Sequence, residues 1–154
     1  MRLAVVVGAL VIITAPATAQ KKDPPPPARY GIETDLEAFP QDSAKAALSS
    51  VVKAIDARKF DYLAAHLADP EEVDKKVLDL GGKFERHVKV VADHLTNAPD
   101  AVRQLRRFAS EGEVSVNGDA AVVSHKEIKG RQVFFRKIGG QWYLQDRKKP
   151  EKEK

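Results

Sequence analysis

The chain has 154 residues, with 26 Lys and Arg against 22 Asp and Glu, nine prolines and no cysteine. No disulfide, thiolate nucleophile or cysteine-held metal site can be built from it. A formal charge of +4 is slight and scattered, which argues against the dense basic stripe of a nucleic-acid-binding protein.

The N-terminus sets Met1-Arg2 before an apolar run over residues 3–13 and the small-residue stretch Thr14-Ala15-Pro16-Ala17-Thr18-Ala19-Gln20. This has the charge, apolar centre and cleavage site of a secretory signal, so residues 1–19 are expected to be a signal peptide cut after Ala19. The run falls well short of the roughly 20 apolar residues that span a bilayer, which leaves no transmembrane span after cleavage. An exported protein, periplasmic or secreted, is the expectation. Residues 20–38 carry four consecutive prolines at 24–27 and read as a Pro-rich linker held in extended geometry. A single domain is expected over 39–147, enough chain for one core and too little for two. Residues 148–154 contain no strongly apolar side chain and read as a disordered charged tail.

Within the domain, Asp42 or Ser43 caps a helix running to about Arg58, with Leu48, Val51, Val52 and Ile55 on one face. A short helix over about 61–67 carries Leu63 and Leu67. Asp69-Pro70-Glu71-Glu72 then starts another, combining a capping carboxylate, a proline whose missing donor costs nothing, and acids facing the helix dipole. Val73, Val77 and Leu80 line that helix up to Gly81-Gly82. Phe84, Val88, Val91 and Leu95 line the next, and Val102, Leu105 and Phe108 a last one from about Asp100. From Gly112 the period changes to alternation. Asn117-Gly118, Lys129-Gly130 and Gly139-Gly140 separate strands ending near Val116, Ile128, Ile138 and Asp146. The fold class is therefore α+β: N-terminal helices packed on a curved antiparallel four-stranded C-terminal meander.

A two-residue loop at Gly139-Gly140 pairs Ile138 with Gln141. Trp142 and Leu144 then share a face with Phe135 and Val133, while Tyr143 shares the other with Phe134 and Ile138. Both faces are apolar, so the second face is expected either to wrap further around the helices or to form a homodimer through the sheet. Phe135, Trp142, Tyr143 and Leu144 are the candidate pocket or interface residues.

A helix of pattern Leu-x-x-Val-Val-x-x-Ile, a short helix ending in Asp69-Pro70, further helices, and a meander closing in Gly139-Gly140-Gln141-Trp142-Tyr143-Leu144-Gln145-Asp146 together resemble the nuclear transport factor 2-like superfamily. The resemblance covers about residues 39–146. It implies a sheet curved around the helices into a cone with an apolar pocket at the open end. Extra helix between Asp69 and Phe108, where many members place an early strand, departs from the pattern. The superfamily includes dehydratases, isomerases and epoxide hydrolases alongside exported binding or accessory domains, so fold alone does not choose among them.

His125 is the titratable residue placed on an expected strand among apolar neighbours, with Glu127 two residues on as a weak partner for acid–base work. His87 and His94 lie two helical turns apart, about 10 Å, and cannot ligate one ion together. His66 is isolated, and no close His pair, serine triad or phosphate-cradling glycine loop occurs, so neither metal nor other cofactor is expected. The functional expectation is an exported accessory or binding domain without catalysis, taking a small apolar ligand or an envelope protein partner. The alternative is a small lyase or isomerase using His125 with Glu127 or Asp146.

Overall fold

Ser43 starts the first helix by accepting the Ala46 N–H at 3.1 Å, and α1 (Ala44–Asp56) follows. The computed structural model describes residues 24–147, so the expected signal segment 1–19 and tail 148–154 lie outside the described residues. After α1 come α2 (Phe60–Tyr62), a π-helical segment Leu63–Leu67, α3 (Pro70–Asp79), α4 (Phe84–Asn97) and α5 (Pro99–Glu111). Four antiparallel strands complete the chain: β1 (Glu113–Asn117), β2 (Ala120–Ser124), β3 (Val133–Ile138) and β4 (Gln141–Gln145), in the order β1-β2-β3-β4. This is the α+β arrangement of helices followed by a four-stranded meander.

Ile138 pairs with Gln141, and Phe135 with Leu144, which puts Val133, Phe135, Trp142 and Leu144 on the face turned to the helices. Ala44, Ala47 and Leu48 of α1 and Phe108 of α5 meet Ala121, Val123, Phe135 and Trp142 there. Small residues on α1 let the helix lie close to the sheet, and the large ones interdigitate with it. The change from helix to strand is tightest at Gly112. A Cβ at that position would lie 2.3 Å from the Phe108 carbonyl oxygen and 2.6 Å from Val123 Cγ1, so glycine is required by close approach.

Residues 61–67, expected as plain α-helix, widen instead into a π turn in which the Ala68 N–H reaches the Leu63 carbonyl at 3.0 Å. All five residues of the segment are buried. The physical reason is that packing surrounds it: Leu63 and Leu67 enter one cluster with α1, while Ala64 and Ala65 enter another with Val73, Val77 and Phe84. The extra residue in the turn spreads side chains over more directions than an α turn allows.

The outward edge of β4 is closed by the chain itself. Trp142 N–H donates to the Gln41 carbonyl at 2.9 Å, and Asp69 N–H donates to the Leu144 carbonyl at 2.8 Å. The buried Gln41 side chain uses both protons of Nε2, one to the Trp142 carbonyl and one to the His66 carbonyl, each at 2.9 Å. Asp69, fully buried, caps α3 through the Glu71 N–H at 3.0 Å and takes Gln145 Nε2 at 3.2 Å on its other oxygen. Arg136 reaches across β3 to Glu71 at 2.8 Å and to Asp69 at 3.5 Å. Its guanidinium holds the Glu71 carboxyl below the usual range.

Two regions stand out at this level. The spacer assigned to residues 20–38 is, through much of its described part, attached to the domain. Tyr30 and Gly31 both take positive φ, 53° and 77°, as the turn closing the Arg29–Ile32 bridge requires. Arg29 donates to the Ala65 carbonyl and to Asp74, Tyr30 stacks on Phe84 with centroids 4.1 Å apart, and His66 binds the Ile32 carbonyl at 2.7 Å. The second is the outer face of the sheet, on which the homodimer expectation rests. Tyr143 is buried there, and Phe134 and Ile138 are half-buried, with the Arg147 guanidinium 5.9 Å from the Phe134 ring centre. The exposed valines of the sheet are Val114 and Val116, which belong to the helix-facing side where β1 runs past the helices. Among the described residues no helix is long and apolar enough to cross a membrane.

Replacing Gln41 by Leu removes both Nε2 bonds and strands two carbonyls, with some relief because Gln41 Oε1 is itself unpaired. The expected loss of unfolding free energy in urea titration is about 2–4 kcal/mol. Gly112→Ala is expected to destabilise by about 1–3 kcal/mol through overpacking, measured the same way.

Candidate functional site

The apolar stripe of α4 is only partly used in packing. Phe84 and His87 are its buried residues, Val88, Val91 and Leu95 are half-buried, and Val90 is exposed. The helix therefore walls a cleft instead of sealing a core. The cleft has a volume of about 1210 Å³ and lies among α3, α4, α5, the loop between β2 and β3, and the ends of β3 and β4. Its apolar wall includes Leu63, Val73, Val91, Leu95, Leu105, Phe108, Ile128, Val133 and Leu144. Ligand pockets combine such walls with a few polar groups, and here the polar groups include His87, His94, His125 and Lys76.

The candidate residues separate. Leu144 lines the cleft and also touches both large core clusters. Phe135 and Trp142 are buried in the core between sheet and α1. Tyr143 faces the opposite side of the sheet, where burial pushes its hydroxyl pKa upward, against the Arg29 charge that lowers it.

His125 is fixed just beyond the end of β2, with only 1 % of its side chain exposed. Its acidic partner is Glu111, at 3.1 Å from Nε2, and not Glu127, whose carboxylate binds Arg107. Asp146, the other expected partner, holds Lys76 at 2.8 Å. The backbone N–H of Glu127 points at His125 Nδ1 at 3.1 Å. Nδ1 is thus the acceptor, so the ring proton resides on Nε2 and is donated to Glu111. With both nitrogens engaged, this neutral ring has no lone pair free to take a proton from a substrate. The contact with His125 draws the Glu111 carboxyl below its ordinary value, with Arg107 adding to the effect.

One relevant residue, Glu111, escaped the sequence reading, and a second, His87, was weighed there only as a metal ligand. The hairpin turns at Gly118-Asp119, with Asn117 paired to Ala120, and not at the expected Asn117-Gly118; only this register, carried back beyond the Glu113–Ser124 pair, brings residues 111–112 beside His125. His87 stands three residues after Phe84 and four before Val91, on the same apolar stripe, a position where an imidazole must be buried. It is 5 % exposed, lines the cleft and makes no hydrogen bond among the described residues. Burial, with the Lys76 charge second, pushes its pKa down. The described residues contain no group of three or more His, Asp or Glu arranged to hold a metal ion.

Comparison with family models, with curated proteins and with solved structures finds no match to this chain.

Because the Glu111 pKa is lowered on folding, its contribution is present above the ordinary value of 4.5 and is lost as pH falls through the lower folded value. Glu111→Gln is expected to flatten the acid limb of melting temperature against pH between about pH 2 and pH 6. An unchanged acid limb would separate Glu111 from acid stability.

Proposed function

We propose that this chain is an exported, non-catalytic binding domain whose cleft takes a small apolar ligand. The observation that carries the reading is the cleft: a large concave surface, walled by aliphatic side chains from three helices and from the sheet. The resemblance to the nuclear transport factor 2-like superfamily supports it, since a cone with an apolar open end is what that resemblance implies. Export rests on the signal-like N-terminal sequence.

The acid–base alternative is weakened by the geometry of His125. Its carboxylate partner is present, but both ring nitrogens serve the loop that follows β2. A ring held this way orients the wall of the cleft through Ile128 and the turn after it, and Ile128 N–H returns to the His125 carbonyl at 3.1 Å.

The test is titration of the mature protein with the fluorescent apolar probe N-phenyl-naphthylamine. Saturable enhancement is expected, and at about 100 times the dissociation constant the probe should stabilise the fold by about 2.7 kcal/mol. Val91→Trp, which fills the cleft from α4, is expected to weaken binding about tenfold or more while the fold persists by circular dichroism. Probe binding that is absent, or indifferent to Val91→Trp, overturns the assignment.

A further inference from the structure

His87 is the buried histidine whose ring nitrogens are unpaired among the described residues yet not fully enclosed, and are left to the cleft. A buried imidazole normally finds a partner for at least one nitrogen, and the other two buried histidines do: His66 with Ile32 and Thr34, His125 with Glu111 and the Glu127 N–H. His87 has the same degree of burial and no hydrogen bond among the described residues, yet it lines the cleft.

We infer that the cleft binds a long-chain carboxylate, with the head group held by His87 and Lys76 and the chain lying along Val91, Leu95, Leu105 and Leu144. The inference rests on the reading of the cleft as an apolar-ligand site and names the ligand class for it. Three features support a carboxylate head. A neutral imidazole offers one N–H donor, and a carboxylate accepts it without demanding more. Lys76 lines the same cleft, and its ammonium, which holds Asp146 at 2.8 Å, has further N–H donors for a second carboxylate. At the rim, Lys129, Arg131 and Arg147 line the cleft with no carboxylate partner among the described residues; Arg131 binds the neutral Gln104 at 2.7 Å.

The acidic residues of the cleft oppose this less than their number suggests. Glu72 accepts the Asp146 N–H at 2.9 Å, and Asp146 is engaged by Lys76, leaving Asp79 near the end of α3. A cationic head would face Lys76 and the three rim cations. A phosphate would need several donors converging on it, where the buried part of the cleft supplies one imidazole.

The experiment compares dodecanoate with dodecanol, which share a chain and differ in the head, by isothermal titration calorimetry at low micromolar protein below the solubility limit of each. Wild-type protein is expected to bind dodecanoate about tenfold or more tighter than dodecanol, the range of a hydrogen bond to a charged group. His87→Phe, which keeps an apolar ring of similar bulk, is expected to collapse that ratio to about one, and Lys76→Met to reduce it. The histidine ring resonances of uniformly labelled wild-type protein provide a measurement independent of variant folding: dodecanoate should shift the His87 signals and dodecanol should leave them nearly in place. Equal binding of the two ligands by wild-type protein, or a ratio unchanged in His87→Phe, overturns the carboxylate inference and leaves the apolar cleft standing. Binding of neither ligand overturns both.

Discussion

The free edge of β4 is the constraint on which the rest of this structure depends. An edge strand presents unpaired backbone donors and acceptors that invite another chain, and here Gln41 and the Ala68-Asp69 segment occupy them. Gln41 does so from the entry to α1 and also fixes the His66 carbonyl. One buried amide therefore couples the first helix, the π-helical segment and the last strand. Asp69 repeats the logic one step along, joining β4 by its N–H and capping α3 by its carboxylate.

The cleft follows from this closure. With the start of α3 pinned to β4 and Arg136 tying it to β3, the chain has only the short Gly81-Gly82 connection before α4 begins. Both glycines take positive φ, and the helix that follows packs on α2, α3, α5 and the π segment. Val91 and Leu95 of its apolar stripe line the cleft together with Leu105, Ile128 and Leu144. A fold with a sealed core would have buried Val91 and Leu95 fully; here they remain half-buried, and binding surface is the consequence.

The three buried histidines show how similar residues take different roles. His66 and His125 are consumed by backbone and carboxylate partners and hold a strap and a loop in place. His87 makes no hydrogen bond among the described residues, and its ring is left to the cleft. Sequence alone ranks these residues by neighbours and selects His125, whose expected partner Glu127 turns outward to Arg107. Nothing local distinguishes a satisfied imidazole from one facing a cavity, because the satisfying atoms come from segments distant in the chain.

Local chemistry by itself determined the elements and their order. Ser43 and Asp69-Pro70 mark helix starts because their side chains answer the unpaired N–H groups of a first turn. Gly118 and Gly139-Gly140 set the hairpins because their backbones accept positive φ, and the two faces of the strands follow from the pleat. Only the tertiary structure decided what covers each face. Val133, Phe135 and Trp142 go to α1 and α5, Tyr143 is buried on the far side, and the residues after the proline run become a strap held by Arg29, Tyr30 and His66. It also decided that α4 walls a cleft and that His125 meets Glu111. Those outcomes depend on packing between segments far apart in the chain, and a periodicity records which side of a helix is apolar without recording how near its neighbour will come.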